Sequence, residues 1–318
     1  MKLVYDVSKQ ELARFLEEVR DHIIYKFKLD RHIPEDVFSA HLSSRILEVA
    51  RSSYCIRAFI LKEKEIQGAF LCSLSKWDTE HFGFRVAKTV LLAFKRSIGM
   101  SMREALIVRG LKLCREAGVR VVFTRVPLSD PLSICALEQA GSYLTDVLLT
   151  FYIDLGNLEL VWESSNVREL KKGDEEAIKR IAFSSFKLDH FHNDPKMPKR
   201  KASELFEKWV ESYFDTERQK RALLIAEHED VIAGFITCKV IELKGWSYGV
   251  IDLIAVSEEF RGRGVGKALV KGALTWLARY TSSVYVGTQA SNIAAVRLYE
   301  GAGFRCVGAE ATLHSWLD

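Results

Sequence analysis

The chain repeats itself. Ala105-Leu106 recurs as Ala268-Leu269, 163 positions later, and Ala140-Gly141 recurs as Ala302-Gly303, 162 positions later. Each pair brackets the same order of patterns, a helix, a strand and a helix. In the earlier copy these fall at 105–114, 119–125 and 131–139. In the later copy they fall at about 267–280, 284–287 and 292–301. A period this long fills a chain of 318 residues with two copies, the number that length suggests at roughly 150 residues per domain. The repeat predicts two related domains, 1–158 and 159–318, joined near 155–163. The later copy adds a short strand at 166–169 and a helix from Gly173-Asp174 to about Phe186. A breaker-rich loop at 187–200, a helix at 202–213, a hairpin of 222–227 and 231–240, a strand at 250–256 and a last pair of strands after Phe304 complete it.

Composition narrows the class without naming it. Apolar residues make up 48% and charged residues 28% of the chain, which suits a globular protein and excludes disordered, collagen-like and disulfide-scaffold chains. The longest apolar runs, such as 90–94 and 222–226, fall far short of the roughly 20 residues that span a bilayer. The N-terminus meets Asp6 before any apolar core of a signal peptide, so a cytoplasmic protein with no membrane contact is expected. Forty-six basic residues face forty-two acidic ones. No concentrated basic footprint for nucleic acid stands out, and the densest stretch, 196–201, reads as a solvated loop. The six cysteines form no Cys-x-x-Cys pair, so they read as small core residues in a reducing compartment, with no metal site expected.

One junction carries chemistry. An apolar strand ending Ile254-Ala255-Val256 runs through Ser257–Phe260 into Arg261-Gly262-Arg263-Gly264-Val265-Gly266-Lys267 and then a helix. Glycines there let backbone N–H groups turn inward at a helix N-terminus, a site for an anion such as phosphate, with Arg261 and Arg263 adding charge at its rim. The dinucleotide fingerprint fails because its third glycine position is Lys267, and the P-loop fails because Ala268 follows Gly266-Lys267. Further on, Asn292 and Tyr299 stand seven apart on one helix, about 10 Å along its axis. A tyrosine phenol, with an ordinary pKa near 10, is able to protonate a departing thiolate, and Asn292 is also suited to cap its helix.

The surviving pattern, Arg-x-x-Gly-x-Gly after a strand, resembles the pyrophosphate loop of the GCN5-related N-acetyltransferases (GNAT). Asn292-Ile293-Ala294-Ala295-Val296-Arg297-Leu298-Tyr299-Glu300-Gly301-Ala302-Gly303-Phe304 resembles that family's Asn…Ala…Leu-Tyr-Glu…Gly-Phe signature, in the expected order and spacing. The resemblance covers about 160–318. It implies an α/β (α+β) GNAT fold, two tandem domains with a mixed, mostly antiparallel sheet flanked by helices, and a degenerate N-terminal copy. It implies acetyl-CoA as co-substrate, held by Arg261 through Lys267 and Asn292, with Tyr299 as the acid. Backbone N–H groups of Ile254, Ala255 and Val256 are then donors to the thioester carbonyl. Asp252 falls in register with a carboxylate that some members use as base. His190 and His192 lie in the loop where the family binds its acceptor, and compete for that role.

The earlier copy lacks the equipment. At the two offsets Gly264 and Gly266 fall on Ser101 and Arg103, and Asn292 and Tyr299 on Asp130 and Leu137, so a single active site per chain is expected. A second resemblance concerns the acceptor. Lys76-Trp77-Asp78-Thr79-Glu80-His81-Phe82-Gly83-Phe84 is similar to the Trp-Asp-x-x-x-Phe-Gly-Phe stretch of the dTDP-fucosamine acetyltransferase group, and Asn193-Asp194-Pro195 is similar to a loop of the same group. This implies a nucleotide-linked amino sugar as acceptor, with His190, His192 and Asp194 on its side of the site. The stretch is equally suited to be a packed aromatic cluster, and the longer N-terminal extension, 1–75, departs from that group. A small aminosugar thiol precursor, as in tandem-domain mycothiol synthase, and a protein or peptide amine are the other acceptors. A regulatory module that binds acyl-CoA without turnover is the alternative of another class. The expected partners are acetyl-CoA and a small amine, in a monomer or homodimer.

Overall fold

The structure is a computed structural model that describes residues 2–156, 166–215 and 220–317. In chain order it contains β1 (Lys2–Val4), α1 (Lys9–Glu18), α2 (Arg20–Ile24), α3 (Glu35–Arg51), β2 (Cys55–Lys62), β3 (Glu65–Leu74), α4 (Lys76–Phe82), β4 (Val86–Phe94), α5 (Met100–Glu116), β5 (Val121–Pro127), α6 (Pro131–Gln139) and β6 (Tyr143–Asp154). The second series is β7 (Val167–Glu169), α7 (Glu175–Ser185), α8 (His190–Asn193), α9 (Lys199–Glu211), β8 (Arg221–His228), β9 (Val231–Leu243), β10 (Trp246–Val256), α10 (Val265–Leu277), β11 (Ser283–Gln289), α11 (Ile293–Gly301) and β12 (Arg305–Trp316). Setting β4 against β10, α5 against α10, β5 against β11 and α6 against α11 reproduces the repeat element by element.

Two compact units result, and they do not follow the cut expected near residue 158, most of which lies outside the described residues. Unit 1 is Met1–Lys28, Glu35–Leu148 and Gly308–Asp318; unit 2 is Leu29–Pro34 and Leu149–Val307. The long strands β6 and β12 are each divided between the units. Within unit 1 the strand order is β1-β2-β3-β4-β5, followed by β12, which pairs antiparallel with β5 from Glu310↔Pro127 to Trp316↔Val121. Within unit 2 the order is β7-β8-β9-β10-β11, followed by β6. The single long β12 replaces the expected pair of strands after Phe304, because no turn interrupts 305–316.

Alternation along each strand sorts side chains to two faces. In unit 2, Leu224, Ile236, Cys238, Ile251, Val284 and Val286 pack beneath α10, while Leu223, Ile225, Phe235, Leu253 and Ala255 pack with α7 and α9 on the other face. The cysteines follow burial only in part. Cys72, Cys114 and Cys238 are core residues, but Cys135 and Cys306 are exposed, and none of the six is joined in a disulfide. The stretch 196–201 is likewise no plain solvated loop. Lys199 to Lys201 open α9, and the Lys199 ammonium donates to the carbonyls of His192 and Asp194.

Candidate active site

In unit 2 a parallel pairing in the sheet opens a gap. β10 pairs with β11 at Gly249↔Val284, Val250↔Tyr285 and Ile251↔Val286, and the ladder stops there. The β10–β9 ladder continues to Val256↔Gly234 with a bulge between Ile251 and Leu253. Asp252 is the extra residue, and the Leu253 N–H turns to the Thr237 hydroxyl at 3.0 Å. The Ser257 N–H bonds back to the Ala233 carbonyl at 2.8 Å. Residues 253 and 257 therefore face β9, and strand alternation turns the N–H groups of Ile254 and Val256 towards the gap. Those are two of the three residues expected to offer donors; Ala255 faces the other way.

Beyond the gap the chain makes the glycine-rich turn. Gly262 and Gly264 hold φ of 76° and 81°, left-handed values that glycine adopts without strain. Gly264 is the N-cap of α10 and offers no side-chain acceptor, and the first turn holds no acidic residue. The first helical bond is made by Ala268, which donates to Gly264 at 3.1 Å. The N–H groups of Val265, Gly266 and Lys267 are thus left for an anion. Arg261 reaches back to the Val256 carbonyl at 3.3 Å, and the Arg263 guanidinium lies 5.7 Å from the Phe260 ring centre. At Gly266 an added Cβ would come 3.3 Å from Leu298 of α11, so this turn approaches α11 closely.

Tyr299 lies on α11 at 2% exposure, its ring against Phe151 and Phe304. Its hydroxyl makes no hydrogen bond to the described residues, and burial pushes the phenol well above its usual range. It stays protonated, the state required of an acid. Asn292 caps α11, its Oδ1 accepting from the Ala295 N–H at 3.2 Å.

The opposite face of the sheet carries the acceptor-side candidates. The Lys239 ammonium donates to Asp252 Oδ2 at 2.6 Å, and the Tyr213 hydroxyl donates to the same oxygen. Burial, then the Asp252 charge, keeps the Tyr213 phenol protonated. Register places Arg221 opposite Lys239, Lys239 opposite Val250 and Val250 opposite Tyr285, one lateral row on the face of α9. Lys239 was legible as a lone cation in the apolar run 231–240. Its meeting with Tyr213 and Asp252 was not, because the three lie on separate elements.

Comparisons with known proteins join this geometry to a family: the model of the acetyltransferase (GNAT) family matches residues 184–304. These residues are a GNAT acetyltransferase domain. Across nearly the whole chain, the spore coat polysaccharide biosynthesis protein SpsD of Bacillus subtilis is 23% identical over 295 residues, 91% of this chain and 98% of that protein. A GCN5-related N-acetyltransferase from Sphaerobacter thermophilus superimposes with a TM-score of 0.66 at 15% identity, over 99% of this chain and 95% of that one. A tandem GNAT protein from the clavulanic acid biosynthesis pathway gives 0.59 at 14% identity, over 100% and 99%. Residues 184–304 thus match the GNAT acetyltransferase family, and the whole chain has the fold of tandem GNAT proteins.

In the GNAT domain the loop between α7 and α9 is largely spent on itself. Asp189 caps α8, and His192 is held between Asp189 Oδ2, 2.5 Å from Nδ1, and the Ser203 hydroxyl, 3.1 Å from Nε2. Asp194 is fully buried and accepts from the Lys196 N–H at 2.8 Å. His190, half-buried, lies against Phe191 with ring centres 3.8 Å apart.

Unit 1 repeats the same order of elements with different side chains at the corresponding places. β4 and β5 pair at 86–88 and 121–123 and then part, and the Thr89 and Thr124 hydroxyls bridge the opening at 2.7 Å. Arg103 is 5% exposed. Its guanidinium donates to Asp130 Oδ1 and to the Ser133 hydroxyl, both at 2.7 Å, and lies 4.6 Å from the Phe94 ring centre. Asp130 caps α6 as Asn292 caps α11, and Leu137, fully buried, stands where α11 has Tyr299. The Trp-Asp stretch forms α4. Asp78 is fully buried, bound by the Ser75 hydroxyl and by Lys88 at 2.6 Å, and the rings of Phe82, Phe84 and Trp316 pack in series.

Proposed function

We propose that the protein moves an acetyl group from acetyl-CoA to the primary amine of a nucleotide-linked amino sugar. The observation that carries the chemistry is the β10–β11 gap, with the N–H groups of Ile254 and Val256 facing it and the uncapped end of α10 beyond it. The cofactor's diphosphate fits that uncapped end, held by the N–H groups of Val265, Gly266 and Lys267, with Arg261, Gly262, Arg263 and Gly264 shaping the turn. Asn292 keeps its amide NH₂ free for the same ligand. Acetyl-CoA supplies the activated acyl group.

The protein's own residues then have distinct tasks. Ile254 and Val256 hold the carbonyl oxygen as charge builds on it. Asp252 takes a proton from the acceptor ammonium, and Lys239 and Tyr213 keep its carboxylate aimed. Tyr299 gives a proton to the departing sulfur. His190 borders the acceptor approach, while His192 and Asp194 shape its loop.

Two observations support the sugar nucleotide. Arg221 and Lys239 are like charges directly opposite on neighbouring strands, an unfavourable placement that an anionic ligand relieves. Asp252 pairs with Lys239, while the Arg221 guanidinium lies over the Tyr213 ring and donates to the Ser212 carbonyl. SpsD, similar over nearly its full length, is a polysaccharide biosynthesis protein by name. The test is thiol release from acetyl-CoA with a panel of amines, including amino-sugar nucleotides, free amino sugars and peptides. Release is expected with the nucleotide-linked sugars and greatly reduced in Tyr299→Phe. Tight acetyl-CoA binding without release for any amine would favour a regulatory binding module instead.

A further inference from the structure

Unit 2 contains six residues from far upstream in the sequence, Leu29–Pro34. They lie between α2 and α3, 115 positions before the next residue of the unit, Leu149. Their hold on the unit is polar and specific. Asp30 Oδ1 accepts from the N–H groups of His32 and Ile33 at 2.9 and 3.0 Å, which folds the segment into a compact turn. The same oxygen accepts from the Ser283 hydroxyl at 2.9 Å, and Oδ2 accepts from the Tyr285 hydroxyl at 2.8 Å. His32 Nε2 lies 2.6 Å from Asp154 Oδ1, and the Gly156 N–H donates to that oxygen at 2.8 Å. Hydrogen bonds to a carboxylate are about twice as strong as neutral ones, so this is a firm attachment for so short a segment.

The place of attachment matters. Tyr285 ends the lateral row Arg221, Lys239, Val250, Tyr285 on the acceptor face. It is opposite Val250, two residues before Asp252 and at the last rungs before β10 and β11 part. Its ring packs on Tyr152 with centres 5.1 Å apart and edge-on against Tyr248 at 5.5 Å. Burial, then the Asp30 charge, holds the Tyr285 phenol protonated as a donor.

We infer that Asp30 is a positioning residue for acceptor binding, which fixes the tyrosine end of the row whose other end carries Lys239 and Arg221. This rests on the acceptor face assigned above. Asp30 touches no reacting atom; it acts through Tyr285. An N-terminal segment outside the GNAT-matched residues 184–304 thereby sets the geometry of the acceptor site.

The experiment compares wild type, Asp30→Ala, Asp30→Asn and Tyr285→Phe in the full chain, with the amine that wild type acetylates best. For Asp30→Ala the acceptor KM is expected to rise about tenfold, the equivalent of one charge-assisted hydrogen bond. Its kcat and its acetyl-CoA Kd by calorimetry should stay within about twofold of wild type. Asp30→Asn, which keeps an acceptor oxygen, should recover most of the KM, and Tyr285→Phe should reproduce part of the defect. An unchanged acceptor KM in Asp30→Ala, or an equal weakening of acetyl-CoA binding, overturns the inference while leaving the proposed function standing. Failure of wild type to acetylate any amine removes both.

Discussion

The α10 and α5 entrances are two outcomes of one design. Both helices follow a β-strand that is parting from its parallel neighbour, and both begin after a glycine, Gly264 and Gly99. In unit 2 the first turn keeps its N–H groups unspent. In unit 1 Arg103 folds its guanidinium into the space and meets Asp130. On the proposed function, the same backbone serves an anion where it stands open and is closed where it holds its own ion pair. At the repeat offsets unit 1 has a long cation, Arg103, at the place of Gly266 and a carboxylate, Asp130, at the place of Asn292.

The sharpest way to break this contrast is Tyr299→Phe. The hydroxyl has no hydrogen-bond partner among the described residues, so folding should be intact while kcat falls by roughly 100-fold or more, the usual range for a lost general acid. Leu137→Tyr in unit 1 should leave turnover untouched. Equal kcat for Tyr299→Phe and wild type would remove Tyr299 as the acid. Next in size is Gly266→Arg, which copies unit 1 into unit 2. It should abolish acetyl-CoA binding by calorimetry, and wild type should titrate at one site per chain. Two sites would mean that Arg103 does not close unit 1.

Arg103→Met tests the other half of the comparison. Removing one partner of a buried pair costs about 3–5 kcal/mol, so the urea midpoint should fall with acetyl-CoA affinity unchanged. The smallest effect concerns pH. Arg168 donates to Asp174 at 2.7 and 3.0 Å and holds that carboxyl below the usual range. A depressed folded-state pKa means a contribution fully present above the unfolded value of about 4 and lost as pH falls. The urea midpoint of wild type should therefore drop on acidification more than that of Asp174→Asn. Parallel curves would show that the pair contributes nothing.

Much of this was legible in residue order. The offset of 163 that set Ala105-Leu106 on Ala268-Leu269 also sets the buried Leu106, Ile107 and Leu111 on Leu269, Val270 and Leu274. The offset of 162 sets the caps Asp130 and Asn292 together. The turn from Arg261 to Lys267 and the phenol of Tyr299 were visible because local spacing defines them. The division of β6 and β12 was hidden, since two copies with the same apolar alternation give a strand no preference readable from its own sequence. The triad of Asp252, Lys239 and Tyr213 was hidden for a related reason. Cross-strand register and the C-terminal end of α9 bring it together, and neither leaves a periodic trace.

The divided strands have a consequence for how such a chain is able to change. A gene trimmed to residues 159–318 would keep every motif that names the family, yet discard residues 149–154, the neighbour of β11, and the Asp30 turn. The exposed β11 edge would then invite pairing with other chains. Each unit therefore takes part of its sheet from residues that lie outside its own sequence half. A motif-based cut through the chain would therefore remove residues on which the motif-bearing unit is built.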